Sequence, residues 1–230
     1  MSKIIQPTYT CIQPSTGKKV KFRPFTTKEH KALLLSLAED DIDIIANAIK
    51  STVTACTDVD VDTVPYYDLE YIFLQIRSKS IGEIIDLIGG CECDPKIKNE
   101  FSVDIADTVI SPEPPKGNAK LQIEGTPYTV EIRHPSIDGF VDVFKSGSAD
   151  TDQAIVDSIV SVYTEDEIMT DIMTNEQKLE FIESMTPRQE VSLSKFMSEM
   201  PIVKLSANYK CKGCGKLHEH TLQGFENFFV

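Results

Sequence analysis

Four cysteines stand at spacings that could do chemistry. Cys211-Lys212-Gly213-Cys214-Gly215 is a Cys-x-x-Cys knuckle. Its two sulfurs can reach one cation, and glycine after the second relieves the tight turn that aims amides at the thiolates. The flanks read as extended, with Leu205, Ala207 and Tyr209 before and His218, His220 and Leu222 after. That is the setting of half a zinc ribbon. One knuckle supplies two ligands where tetrahedral zinc takes four. Cys91-Glu92-Cys93 offers the other two, so Cys91, Cys93, Cys211 and Cys214 make one candidate site for Zn²⁺. Local closure through His218 or His220 stays open, as do two metal-free hairpins whose cysteines are simply small. A thioredoxin-like redox motif is disfavoured, because that motif opens a helix whereas Gly215 and its alternating flanks point to a hairpin. Four thiolates leave no open coordination position, so such an ion is structural and not catalytic. Cys11, in a strand, and Cys56, at the end of a helical stripe, read as core.

The elements that must position these residues follow from pattern. Residues 8–25 alternate as a β-hairpin around Pro14-Ser15-Thr16-Gly17. Thr26 or Thr27 caps a first helix, with Glu29 completing a capping box if the cap is Thr26. Ile42, Ile45, Ile49 and Val53 predict a helix over about 42–56. A third helix is expected over about 67–87, with a break near Ser80-Ile81-Gly82. Ile81, Ile84, Ile85, Leu87 and Ile88 surround it nearly all round. A strand at Glu100–Ile105 follows Cys91-x-Cys93. The segment Ile110–Gly117 holds three prolines and a glycine, which excludes helix interior and central strand.

After that segment the order of elements begins again. A hairpin spans Leu121–Ile123 and Tyr128–Arg133, and a helix starts at Ser136. Another helix covers about 152–163, one or two run from Asn175 to Met197, and strands at Val203–Lys210 and through His220 to Leu222 flank the knuckle. Leu69-Glu70-Tyr71-Ile72 and Leu179-Glu180-Phe181-Ile182 exemplify local spellings that recur at a nearly constant offset, as an internal duplication would leave them. The expected fold is therefore α+β in two pseudo-repeated halves. Each is a β-hairpin, about three helices and a cysteine-containing, zinc-ribbon-like hairpin. The halves are 1–110 and 118–230, joined by a Pro-rich linker at 111–117.

Composition excludes several function classes. The 230 residues carry 23 Lys+Arg against 36 Asp+Glu, a net charge of −13, which repels nucleic-acid backbones and anionic membranes alike. No stretch approaches the ~20 apolar residues of a membrane span. Met1–Pro7 lacks the apolar run of a signal peptide, so a cytoplasm-like compartment with reduced thiols is expected. There is no phosphate-binding loop or dinucleotide fingerprint, and His30 and His134 suggest no catalytic triad. Asp58, Asp60 and Asp62 begin like a calcium loop, but Thr63 and Leu69 stand where glycine and glutamate belong. No enzyme is expected. The C-terminus instead carries Phe225, Phe228, Phe229 and a final Val230, an apolar end that packs back on its own fold or binds a partner.

Three stretches carry a family resemblance. Lys19-Val20-Lys21-Phe22-Arg23-Pro24-Phe25-Thr26 before a Lys/Glu/Leu helix resembles the N-terminal signature of the T4-type baseplate hub proteins of contractile-tailed phages. So do Asp68–Ser80 and the terminal Cys-x-x-Cys-Gly, Leu-x-Gly-Phe and Phe-Phe. Cys91-x-Cys93 is one residue shorter than the family's usual spacing. The resemblance implies a non-enzymatic structural or assembly component of the baseplate hub, in the virion tail and in the host cytoplasm during assembly. Its implied partners are other hub proteins and the spike or tape-measure protein, with homo-oligomers left open. The competing reading is a zinc-ribbon regulator that binds nucleic acid through Lys210, Lys212 and Lys216 around the knuckle.

Overall fold

Thr26 takes the cap that starts the first helix. Its hydroxyl accepts from Glu29 N–H, and the Glu29 carboxylate accepts from Thr26 N–H at 2.6 Å. Arg23 then grips the same carboxylate with two bonds, at 2.7 and 3.0 Å. The guanidinium, with help from Thr26, pulls the Glu29 carboxyl down to about 2. The Arg-Pro-Phe-Thr stretch is thus a joint that fixes how the hairpin feeds the helix.

The computed structural model describes residues 4–39, 41–146, 152–164 and 173–224. Within them the chain is α+β, with seven α-helices and four small sheets. Strands β1 (Tyr9–Ile12) and β2 (Lys19–Phe22) pair antiparallel. Helices α1 (Thr27–Ala38), α2 (Ile42–Cys56) and α3 (Tyr66–Ser80) follow. Then β3 (Ile84–Gly89) and β4 (Asn99–Asp104) form a ribbon, and β5 (Val109–Ser111) lies at a sheet edge. Next come β6 (Ala119–Gln122) and β7 (Thr129–Ile132), followed by α4 (Ile137–Ser146) and α5 (Asp152–Ser158). Strand β8 (Ile159–Tyr163) pairs with β7. Helices α6 (Asn175–Glu183) and α7 (Pro187–Ser198) lead to the ribbon of β9 (Ile202–Lys210) and β10 (Leu217–Leu222).

Two expected helices are shorter than their patterns suggest. The third stops at Ser80, where Gly82 adopts φ +152°, and Ile84–Gly89 continues as a strand that buries alternate residues. Ile85 and Leu87 point inward, whereas Ile84 and Ile88 are 52% and 61% exposed. The segment 152–163 likewise divides after Ser158, because Ile159, Val160 and Val162 are β-branched and complete the β6-β7-β8 sheet. Ile110 pairs with Val203 as part of an edge strand just before Pro112, a position that tolerates the following prolines.

Three apolar clusters hold these elements. One packs the first hairpin against α1, α2 and α3, joined by Ile137 and Val141 of α4. A second lies under β6-β7-β8, α5, α6 and α7. The third combines Tyr67 and Leu74 of α3 with Ile85, Leu87 and Val103 of one ribbon and Val203, Leu205 and Leu222 of the other. Each ribbon therefore covers apolar surface that the other also covers. No helix among the described residues is long and apolar enough to cross a membrane.

His134 sits where the second and third clusters approach. It stacks on Phe196 at 4.1 Å and meets Tyr67 edge-on at 5.8 Å. It is 3% exposed, and its Nδ1 has no partner among the described residues. Burial pushes the imidazole down to about 4. Since the folded value lies below the ordinary His value of about 6.5, stability is whole above pH ~6.5 and falls as pH drops toward 4. Urea titration at pH 7 and at pH 4.5 checks this. Relative to His134→Gln, the wild type is expected to lose about 2–3 kcal/mol more over that interval; equal losses contradict it.

Candidate metal centre

The two ribbons meet turn to turn. In the β9–β10 turn, Cys211 N–H donates to Lys216 O at 2.9 Å and Gly215 N–H donates to Cys211 O at 3.0 Å. Gly215 holds φ +76°, a left-handed conformation that a side chain would strain. The longer β3–β4 loop turns at Asp94, whose carboxylate accepts from Lys96 N–H at 2.9 Å.

Side chains set back from the sulfurs fix the docking. Phe101 of β4 stacks on Tyr209 of β9 at 4.6 Å, and the Tyr209 hydroxyl donates to Gly90 O at 2.6 Å. Gly89 makes room for that ring, since a Cβ there would lie 2.3 Å from Tyr209 Cζ. Asn99 is buried and bridges the turns. It donates to Gly89 O at 3.1 Å and accepts from Lys212 N–H at 2.8 Å. Lys212 Nζ lies 3.4 Å from Glu100 Oε2.

This frame brings Cys91, Cys93, Cys211 and Cys214 together, with all four sulfurs within 4.8 Å of one another. Cys91 and Cys214 Sγ stand 3.6 Å apart, as do Cys93 and Cys211. Both close pairs cross between ribbons. Four thiolates at ~2.3 Å from one tetrahedral ion stand ~3.8 Å apart, so the donor set fits a metal closely. Gly213 seals the back of the cluster. Its N–H lies 3.4 Å from Cys211 Sγ, and a Cβ there would meet Ile97 Cδ1 at 2.3 Å. Amides of Cys214 and Gly213 aimed at Cys211 bring its thiol down to about 6. Its neighbours Cys91, Cys214 and Cys211 hold Cys93 up at about 12.

His218 stands beside the four. Its Nε2 lies 3.2 Å from Cys91 Sγ, and its ring stacks on Tyr209 at 5.1 Å. His220 instead meets Phe101 edge-on at 5.5 Å. Cys11 and Cys56 are buried in the first cluster, which pushes each thiol up to about 11. Asp62 pairs with Lys50 at 2.6 Å. Phe225, Phe228 and Phe229 lie outside the described residues. Sequence reasoning did not find Asn99, Gly89 or Tyr209, which dock the ribbons. Gly89 before the short cysteine pair was the available signal, since a glycine at a strand end often admits another side chain.

The molecule is thus an α+β protein whose candidate centre is a cysteine cluster joining two ribbons from distant parts of the chain. It belongs to the family described as T4 bacteriophage base plate protein, whose match covers residues 6–230. It is similar to the baseplate hub assembly protein gp26 of Enterobacteria phage T4, at 24% identity over 214 residues, 93% of each chain. No solved structure matches it significantly.

Proposed function

We propose that this chain is a non-enzymatic assembly component of the baseplate hub of a contractile-tailed phage. It acts through contacts with other baseplate proteins, in the host cytoplasm during assembly and at the tail baseplate, and its reach extends to the spike or tape-measure protein. The observation that carries this reading is the family match over residues 6–230, joined by likeness along most of the chain to a baseplate hub assembly protein. A net charge of −13 weighs against the nucleic-acid alternative, since Lys212 of the knuckle already faces Glu100.

Within this reading Cys91, Cys93, Cys211 and Cys214 hold one structural Zn²⁺, the ion a four-cysteine donor set favours. The ion would supply a cross-link between the ribbons, and the chain's own Asn99, Tyr209 and Gly89 align the turns for it. The halves 1–110 and 118–230, with 111–117 between them, are read as an ancient duplication. Each begins with a hairpin and closes with a cysteine-tipped ribbon. In each, the residue after the second strand donates back to a helix end: Arg23 N–H to Cys56 O and Arg133 N–H to Ser158 O, both at 3.0 Å. Phe225, Phe228 and Phe229 are proposed to bind a partner.

Phage in which the gene is interrupted test the proposal. Electron microscopy of lysates is expected to show heads but no complete baseplates, restored when the chain is supplied in trans; normal tails contradict the reading. Mass spectrometry of purified tails then separates a resident subunit from a transient assembly factor.

A further inference from the structure

The β3–β4 ribbon has an open edge. Strand β3 pairs with β4 and with no other strand among the described residues. Ile105 N–H donates to Glu83 O directly opposite, so the antiparallel alternation turns the Ile85 and Leu87 backbone toward β4. The N–H and C=O of Ile84, Asp86 and Ile88 then point away from it. Along this edge the outer face presents Ile84 and Ile88, 52% and 61% exposed. Asp86 stands between them, and Asp104 and Glu100 lie opposite them across the ribbon. Apolar side chains and carboxylates thus alternate around unpaired backbone.

We propose that this edge accepts an extended basic segment of another protein, adding it as a third strand. On the face that meets Ile84, Asp86 and Ile88, the partner would carry an apolar, a basic and an apolar residue two positions apart, covering the two isoleucines and setting Lys or Arg against Asp86, with Asp104 adding negative charge across the ribbon. Charge complementarity selects this occupant. A second copy paired across a twofold centred on Asp86 would set the two Asp86 carboxylates side by side, which opposes association. A phosphate backbone or anionic membrane meets the same carboxylates. The inference deepens the assembly reading by naming what kind of partner one surface takes. Asp86 on an edge also serves to discourage aggregation, and the experiment separates that lesser role.

The full chain is titrated with a fluorescent nine-residue peptide, Lys-Thr-Val-Thr-Lys-Thr-Val-Thr-Lys, in which Lys and Val alternate along one strand face. A control peptide of the same composition carries its lysines in one block. Saturable binding of the alternating peptide is expected, with slowed hydrogen exchange at the amides of Ile84, Asp86 and Ile88. Ile84→Thr/Ile88→Thr, which leaves charge unchanged, is expected to weaken binding about tenfold or more, with unchanged circular dichroism and thermal midpoint confirming the fold. Equal binding of the blocked peptide, protection elsewhere, or a variant that binds like the wild type overturns the proposal. So does peptide binding that appears only after deletion of residues 225–230, since the chain's own end would then be the occupant. Edge protection that rises with protein concentration alone, with a dimer in sedimentation, overturns it in favour of a second copy. The assay needs no phage, so its failure leaves the assembly reading standing. Normal tails without the gene would overturn that reading alone.

Discussion

Cys91→Ser is expected to destabilise the chain as much as Cys214→Ser, although the two residues are 123 positions apart. Each sulfur sits 3.6 Å from the other, and each belongs to a different ribbon. Losing either leaves three crowded thiols and no closed tetrahedron. Structural zinc contributes roughly 10–16 kcal/mol in isolated finger peptides, where folding and binding are one event. Here the ribbons are also held by the Phe101–Tyr209 stack, the Tyr209–Gly90 bond and the Asn99 bridge, so they stay docked in part. A loss of about 3–5 kcal/mol is expected, comparable to removing a disulfide. For a chain of this length that lowers the thermal midpoint by about 10 °C or more. Thermal scans of both variants, and of wild type treated with a zinc chelator, should converge on one lowered midpoint. A fall with Cys214→Ser alone would mean that the ribbons do not share the site.

Asp68→Ala is the second large effect, at a place remote from the cysteines. Asp68 is 0% exposed in the first turn of α3. Its carboxylate accepts from Gln13 Nε2 at 2.7 Å, from Ser15 N–H at 2.9 Å and from the Ser15 hydroxyl. Burial pushes its carboxyl above the usual range, while the bonds from Ser15 and Gln13 draw it back. The residue thereby ties the turn of the first hairpin to the central helix. Truncation leaves three donors without their acceptor in a buried place, at about 1–3 kcal/mol each and not additively. A total near 3 kcal/mol is expected. Asp68→Asn, which retains one acceptor oxygen, should cost less. Urea midpoints for the two variants check the order, and a loss below about 1 kcal/mol for Asp68→Ala contradicts it.

Local signals that agree with their surroundings were legible in the sequence. The α2 stripe of Ile42, Ile45, Ile49 and Val53 gave both ends of Ile42–Cys56, since an Asp41 cap and a buried face point the same way. The sequence left the first cap open between Thr26 and Thr27, and Thr26 takes it with the Glu29 box. Ile84–Gly89 was hidden because its solvent face carries isoleucines where a surface strand usually carries polar residues, so alternation vanished and a helix seemed to fit. That same departure marks the edge on which a partner strand is proposed. Strand β8 was lost for a related reason: the helical spacing of Ala154, Ile155 and Ile159 runs on into a β-branched stretch that pairs with β7. The four cysteines were legible as a group from residue type and spacing. Their frame was not, because Asn99, Gly89 and Tyr209 become partners only when strands over 100 residues apart are docked.

X-ray absorption at the zinc edge of the protein purified without chelator tests the shared centre most directly. The structure predicts about one zinc per chain with four sulfur neighbours near ~2.3 Å. Two sulfurs accompanied by nitrogen or oxygen, or no bound zinc, would contradict a single ion held by Cys91, Cys93, Cys211 and Cys214.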